Sequence, residues 1–202
     1  MRIIEAEDID LLEPFPQGEI KRLVGWTHCF KTLMEVDGDP TTDEERAVYY
    51  KVLLSQVPSW GVIDRANKLG YQHEAPLIGI IFLQPASNGN NFYVHLASTR
   101  RAWGSGLMDQ AGKRLIEHVF ETYPQLTRLS GAILNSNKPA KAFAKRMGFK
   151  QDGLLKDFVT QNGEPRSVAH FGLLRSEAWE ASKPQSATAE IPEQTLEATP
   201  TP

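Results

Sequence analysis

The sequence predicts a mixed α/β fold of the α+β type, and three observations lead to it. Apolar residues alternate along the chain between strand-like and helix-like spacing. Two strand patterns, near residues 92–98 and 128–137, flank one amphipathic helix and so predict a β-α-β unit. Residues 153–175 read as two strands around a "QNGE" turn, which is typical of a hairpin. A β-α-β unit and a hairpin together imply a mixed sheet.

The first half of the chain predicts one strand, two helices and two further strands. Their ranges are 2–6, 19–36, 41–57, 60–64 and 76–84. Thr42 and Glu45 stand in capping-box spacing at the start of the second helix. The segment "SNGNN", residues 87–91, predicts a turn.

The second half predicts a strand, a helix, a strand, a helix, the hairpin and a short final helix. Their ranges are 92–98, 105–123, 128–137, 138–147, 153–175 and 176–181. Pro124 ends the first of these helices, whereas Pro139 lies in the first turn of the next and Gly148 at its end. The sequence therefore predicts seven strands.

Composition indicates an ordinary globular chain without a membrane or secretion signal. The 202 residues are 41% hydrophobic and 23% charged, with a net charge of −3, so no global basic field attracts nucleic acid. No signal peptide or membrane-length apolar run is recognisable, which predicts a cytoplasmic location. We expect one domain over 1–181 and a disordered acidic tail over 182–202, which is rich in Pro, Thr and Ala.

Metal and thiol chemistry have little support in the sequence. Cys29 is the single cysteine, so no disulfide can form within the chain and no multi-cysteine zinc site exists. No other pattern of metal ligands is present, and we expect no metal. Cys29 follows His28 directly, but adjacent residues of a helix do not face each other, so a half-buried structural cysteine is the favoured interpretation.

The stretch "RRAWGSGLMDQAG", residues 100–112, joins a strand to an amphipathic helix. The helix N-terminus leaves amide groups unpaired and attracts anions. Gly104 and Gly106 leave the backbone accessible, and Arg100 and Arg101 add positive charge. A plain strand-to-helix turn explains the same residues. The spacing lacks the third glycine of a dinucleotide fold and the Lys-Ser or Lys-Thr of a Walker A loop.

Three motifs resemble the GNAT superfamily of N-acetyltransferases. "RAWGSG", residues 101–106, is similar to the R/Q-x-x-G-x-G/A signature of its pyrophosphate loop. "NSNKPAKAFAKRMGF", residues 135–149, is similar to its N-x-x-S/A segment followed by G-F. The closing segment 151–179 resembles the branch of the ribosomal-protein N-terminal acetyltransferases. The resemblance covers about 76–179, which would be the cofactor half of the domain.

This resemblance implies the GNAT fold and acetyl-CoA as cofactor. The fold has a mixed, mostly antiparallel central sheet of about seven strands, flanking helices and a splayed central strand pair. The implied coenzyme A contacts are Leu96, Ala97, Ser98, Arg101, Ala102, Trp103, Gly104, Ser105, Gly106, Leu107, Asn137, Ala140, Phe143 and Arg146. Asn137 is equally typical of a helix start, and Arg146 of a solvated helix face.

Acetyl transfer to an amine needs a proton acceptor and a donor to the developing oxyanion. His95 is the candidate base, since its ordinary pKa of about 6.5 suits proton removal near neutral pH. Strand alternation places His95 and Tyr93 on the more polar face, which favours a wet cleft; a core histidine is the alternative. The backbone amide of Leu96 is the candidate oxyanion donor. Many superfamily members carry a tyrosine acid where this chain has Ala144, so water, Tyr93 and Ser136 are the remaining candidate proton donors to the thiolate.

These observations predict an acetyl-CoA-dependent N-acetyltransferase in which an amine attacks the thioester directly. The alternatives are a same-fold acyltransferase that modifies a protein N-terminus, tRNA or a modified nucleobase, and a non-catalytic coenzyme A-binding module. The acceptor is unknown, although the acidic segment 36–45 either attracts a cationic amine or is a solvated loop. We expect no membrane partner and a monomer or homodimer.

Overall fold

A computed structural model describes residues 1–29, 37–71, 76–87 and 89–181. The strands in these residues are β1 (Arg2–Glu5), β2 (Ile9–Glu13), β3 (Ser59–Asp64), β4 (Leu77–Pro85), β5 (Asn91–Ser98), β6 (Arg128–Leu134), β7 (Lys150–Gln161) and β8 (Glu164–Leu174). The helices are α1 (Ile20–Cys29), α2 (Asp43–Gln56), α3 (Leu107–Thr122), α4 (Lys138–Arg146) and α5 (Arg175–Ala181). The predicted tail and the end of the first predicted helix, residues 30–36, lie outside the described residues.

The eight strands of the described chain form one sheet in the order β1-β2-β3-β4-β5-β6-β8-β7. All neighbouring pairs are antiparallel except β5 and β6, which are parallel. Helix α3 connects these two parallel strands, as the β-α-β pattern predicts. The predicted fold class, a mixed and mostly antiparallel sheet with flanking helices, is confirmed.

Strand β2 is an addition to the predicted element order. It pairs with β1 on one side and β3 on the other, and Ile9 and Leu11 are fully buried. Alternation places Asp10 and Leu12 on the opposite face of the strand from Ile9, Leu11 and Glu13, so apolar and acidic residues are mixed on both faces. This mixture masks the pattern of a five-residue, half-buried strand.

Two apolar cores cover the two faces of the sheet. Helices α3 and α4 pack on one face, where Leu107, Leu115 and Ala144 belong to the larger core. Helices α1 and α2 pack on the other face, where Leu23 and Leu54 join Phe82 and Ala97 of the sheet. We call these the α3 face and the α1 face.

Local sequence signals determine several element ends. Thr42 and Glu45 form the predicted capping box at the start of α2, with Thr42 Oγ1 accepting from the Glu45 amide at 3.1 Å. The hairpin turn between β7 and β8 holds Asn162 and Gly163 at φ values of 55° and 74°, as a type I′ turn requires. Among the described residues, no helix is long and apolar enough to cross a bilayer.

Candidate active site

A gap opens between the two parallel strands at the centre of the sheet. Their pairing ends at Tyr93 and Ser130, although β5 continues to Ser98 and β6 to Leu134. The strands therefore separate toward their C-terminal ends, which is the predicted splayed pair. Because the strands are parallel, the glycine loop and the start of α4 both lie at this open end.

Backbone groups of both strands face the gap. The amide of Thr99 donates to Ile78 O of β4 at 2.8 Å, and strand alternation then directs the backbones of Val94, Leu96 and Ser98 toward the gap. By the same rule, the backbone of Ala97 faces β4 and not the gap, and its methyl group is buried in the smaller core.

The β6 side of the gap is open in the same way. The Asn135 amide donates to Ser167 O of β8 at 2.9 Å, so alternation directs the backbone of Ala132 toward the gap. The unpaired edges of β5 and β6 can therefore bind an extended ligand as an inserted strand would.

The glycine loop between β5 and α3 is shaped by two left-handed residues. Gly104 and Gly106 have φ values of 71° and 83°, and no atom lies within 4 Å of a Cβ built at either position. Glycine is therefore required here for backbone conformation, and the surrounding space is open. Within the described chain, neither glycine amide donates to a protein acceptor.

Side chains of the loop stabilise this conformation. Ser105 Oγ donates to Ala102 O at 2.8 Å and accepts from the Leu107 amide at 3.2 Å. Ala102 and Leu107 are buried in the larger core and anchor both ends of the loop, whereas Trp103 is 40% exposed. The loop thus presents amide groups at the N-terminus of a 16-residue helix, which is a favourable place for an anion.

The two arginines at the loop differ in their surroundings. The Arg101 guanidinium lies over the ring of Tyr71, 4.8 Å from its centroid, and the Tyr71 hydroxyl donates to Thr99 Oγ1 at 3.3 Å. Arg101 is therefore held beside the loop, while Arg100 is an exposed residue of the 3₁₀ turn Arg100–Ala102. Both arginines are exposed, and the role of Arg101 in binding a ligand of the loop stays a prediction.

Acidic groups near the loop are neutralised by basic partners. Asp109, in the first turn of α3, accepts two hydrogen bonds from Arg146 at 2.8 and 3.0 Å. Asp8 accepts hydrogen bonds from Gln110 and Lys68, which hold the pKa of its carboxyl below the usual range. Arg146 is thus tied to α3 by an ion pair beside the loop.

The start of α4 closes the open end of the gap. Asn137 is the N-cap of α4, and its side-chain oxygen accepts from the Ala140 amide at 3.1 Å, which is the helix-start role. Phe143 lines a small apolar cavity of about 30 Å³ beneath the gap, together with Val94 and Leu96. Ala144 is buried in the larger core, and its methyl side chain cannot act as an acid.

His95 lies on the α1 face of β5 in apolar surroundings. Its imidazole stacks on Phe82 of β4 with centroids 4.6 Å apart and an interplanar angle of 4°. Its Nε2 atom is buried and has no hydrogen-bond partner in the described chain. Burial lowers the pKa of His95 below 6.5, so the ring is neutral and able to accept a proton at pH 7. This part of the face is drier than the strand alternation suggests.

The α1 face becomes more open toward β6 and β8. Tyr93 and His170 are half-buried, and their rings meet edge to face with centroids 6.3 Å apart. Ser136 is exposed in the turn before α4. Ala132, on β6 between β5 and β8, is exposed, so the sheet is open to solvent there. His95, Tyr93 and Ala132 therefore lie on the α1 face beside the gap.

The segment that follows residue 36 is attached to the β7–β8 turn. The Asp37 carboxylate accepts from the amides of Asn162 and Gly163 at 2.8 Å each, and the Asp37 amide donates to Thr160 O at 2.7 Å. Glu45 is likewise engaged in the capping box. Asp37 and Glu45, two acids of the acidic segment, are thus exposed and already have partners within the protein.

Sequence reasoning gave no role to three residues that the fold brings to this site. Tyr71 supports Arg101, Phe82 stacks on His95, and His170 meets Tyr93. Phe82 reaches His95 through the register of β4 against β5. His170 reaches Tyr93 through the registers of β5 against β6 and of β6 against β8. For His170, the available signal was the alternation of "VAHF" in a hairpin strand, which places His170 on the opposite face of the strand from Ala169 and Phe171.

The chain is similar to acetyltransferases of one family. The family model of the acetyltransferase (GNAT) domain matches residues 4–150. A putative ribosomal N-acetyltransferase, YdaF, of Bacillus subtilis (strain 168) is 30% identical over 80 residues, which are 40% of this chain and 43% of that protein. The matched region thus spans less than half of that relative.

Solved structures of the same fold cover most of the chain. A ribosomal L7/L12 alpha-N-protein acetyltransferase, RimL, in complex with coenzyme A has a TM-score of 0.69 at 17% identity, over 86% of this chain and 98% of that one. The spermidine/spermine N-acetyltransferase SpeG of Vibrio cholerae has a TM-score of 0.69 at 16% identity, over 87% of this chain and 99% of that one. These two likenesses concern the fold alone.

Proposed function

Since the chain belongs to the GNAT acetyltransferase family, we propose that it transfers the acetyl group of acetyl-CoA to an amine acceptor. The observation that carries this proposal is the gap between β5 and β6, which ends at a glycine loop with unpaired amides. The described residues fit the cofactor, because an anion site and an unpaired strand edge are what a pyrophosphate and an extended amide arm need. Acetyl-CoA supplies an activated thioester when bound.

The proposed contacts follow from position in the fold. The amides of Gly104 and Gly106 bind the pyrophosphate with Arg101 beside them, and the backbones of Val94, Leu96 and Ser98 pair with the arm. Trp103, Ser105 and Leu107 complete the loop, and Arg146 reaches the adenosine phosphate by exchanging its partner Asp109. Asn137, Ala140 and Phe143 line the opposite wall at α4. The Leu96 amide donates to the thioester oxygen as negative charge develops.

We propose that His95 is the general base. With acetyl-CoA bound, His95 would take the proton of the amine nitrogen as that nitrogen bonds to the carbonyl carbon and the carbon–sulfur bond breaks. Tyr93, Ser136 or solvent would protonate the departing thiolate, so no covalent enzyme intermediate is required. The lowered pKa of His95 favours its neutral form, which is the form that accepts the proton.

The acceptor we favour is a protein α-amino group. YdaF and RimL are named for ribosomal acetylation, and the α1 face beside the gap is open at Ala132. A small polyamine is the second candidate, because SpeG shares the fold to the same extent. We further propose one domain over 1–181, a disordered tail over 182–202, a cytoplasmic location and a monomer or homodimer.

Calorimetry with acetyl-CoA followed by product mass spectrometry tests the proposal. Peptides with free α-amino groups and spermidine serve as the two acceptor probes, and a mass gain of one acetyl group identifies the product. If acetyl-CoA does not bind, the proposal is wrong; if it binds but no amine is acetylated, the chain is a coenzyme A-binding module.

The role of His95 is tested with His95→Gln, which keeps a polar side chain but removes the base. We expect kcat to fall by about 10²- to 10⁴-fold, the usual contribution of a general base. The ionisation of the acceptor amine, which must be neutral to attack, is measured separately and divided out of the wild-type profile. The corrected kcat/KM should stay level above pH 6.5 and decrease only below it, because burial lowers the pKa of His95. A limb well above pH 7 that remains after this correction would contradict the assignment.

A further inference from the structure

His170 stands across the gap from His95 on the same face of the sheet. The register pairs Phe82 with His95 and, on the other side of the gap, Ala132 with His170. Two strand spacings separate the histidine backbones, which is about 10 Å before the splay is added. The exposed methyl group of Ala132 is all that β6 places between them on this face. A small group lying over Ala132 is therefore flanked by two imidazoles.

The surroundings of His170 leave its ring nitrogens available. His170 is half-buried, and its ring meets the ring of Tyr93 edge to face. In the described chain, neither ring nitrogen of His170 forms a hydrogen bond with a protein atom. Gly153 of β7 is the partner of His170 on its outer side and adds no side chain that would cover the ring.

The neighbouring polar groups are already engaged with one another. Arg128 forms an ion pair with Asp152 and donates from Nε to Ser130 Oγ at 3.0 Å, and Ser130 donates to Asn91 at 3.1 Å. The Arg128 guanidinium lies so close to Gly172 that it leaves no room for a Cβ at that position. This network therefore does not use the ring nitrogens of His170.

We infer that His170 binds the acceptor amine by accepting a hydrogen bond from its nitrogen on the side opposite His95. A neutral primary amine has two N–H groups, so one can donate to His95, which takes the proton, while the other donates to His170. The second hydrogen bond orients the nitrogen lone pair toward the gap. This inference rests on the proposed function, and His170 is a specificity-determining residue of that same site.

A conjugate of coenzyme A tests the contact without knowledge of the natural acceptor. In this conjugate, the coenzyme A sulfur is joined through a methylene carbonyl group to the nitrogen of a seryl dipeptide amide, so one N–H remains. A second conjugate carries a methyl group on that nitrogen and has no N–H. Calorimetry measures both affinities and the affinity of coenzyme A itself.

The variants separate hydrogen bonding from packing. His170→Phe keeps an aromatic ring against Tyr93 but removes both nitrogens, and His170→Gln restores a polar acceptor. We expect the wild type to prefer the N–H conjugate over the methylated one by about 3- to 10-fold, the range of one hydrogen bond. His170→Phe should abolish that preference, His170→Gln should recover part of it, and coenzyme A should bind equally well to all three proteins.

His118→Gln is the matched control, because His118 contacts Trp60 on the α3 face and should leave both affinities unchanged. A His170→Phe protein that retains the wild-type preference would show that the ring only packs. An equal loss of coenzyme A affinity in His170→Phe would show a structural effect and would also overturn the inference. If coenzyme A fails to bind the wild type, the proposed function fails with it; if coenzyme A binds but the two conjugates bind alike, only the role of His170 fails.

Discussion

Substitution of Gly106 tests whether the left-handed conformation of the glycine loop creates its anion site. Gly106 is the N-cap of α3 with φ of 83°, and no atom lies within 4 Å of a Cβ built on it. Replacing Gly106 by alanine therefore creates no clash, and its cost is the left-handed conformation alone, about 1–2 kcal/mol. For a domain of this size, that corresponds to a melting temperature lower by about 2–8 °C.

In addition to this loss of stability, Gly106→Ala should lower the affinity for coenzyme A. A left-handed alanine relaxes toward other backbone angles, which turns the loop amides away from the anion they bind. A hydrogen bond to a charged group contributes about 1.5–3 kcal/mol, so the loss of one lowers affinity by about tenfold or more. Calorimetry with coenzyme A at a temperature where the variant is folded measures this.

Gly163→Ala is the matched control for backbone strain. Gly163 has φ of 74° and the same open space, but it lies in the β7–β8 turn, away from the loop. Both variants should lose similar stability, and only Gly106→Ala should lose coenzyme A affinity. Equal affinities in the two variants would refute the idea that the loop conformation creates the anion site.

Three further predictions concern stability. Thr42→Ala removes the N-cap of α2 and should lower the unfolding free energy in urea by about 1 kcal/mol, whereas an unchanged midpoint would contradict the capping role. Arg175 donates three hydrogen bonds, at 2.6–2.7 Å, to carbonyl groups at and just beyond the end of α3, so Arg175→Ala should cost at least about 2 kcal/mol in the same assay; a loss below about 0.5 kcal/mol would refute it. Burial lowers the pKa of His118, partly offset by Glu13, so the folded state resists protonation and stability should be level above about pH 6.5 and decrease toward pH 5. His118→Gln should make that decrease shallower, and an unchanged pH dependence would show that His118 is not its source.

Element types were predictable where local chemistry determines them. The capping residues of α2, the glycine turn of the hairpin and the apolar spacing of α3 each act within a few residues, and the structure confirms all three. Strand β2 was missed because its acidic neighbours mask a short alternating pattern. It becomes a strand because β1 and β3 pair with both of its edges, a long-range effect.

The sequence by itself determined the family, the fold class and the position of the glycine loop, because motif spacing and periodicity are local properties of the chain. Tertiary structure alone decided which backbone groups face the gap, why Arg101 is held over Tyr71, and that His95 stacks on Phe82 in a dry setting. It also brought His170 beside Tyr93. The contacts of His95 and His170 depend on strand register, because a shift of one residue would turn either histidine to the other face of the sheet.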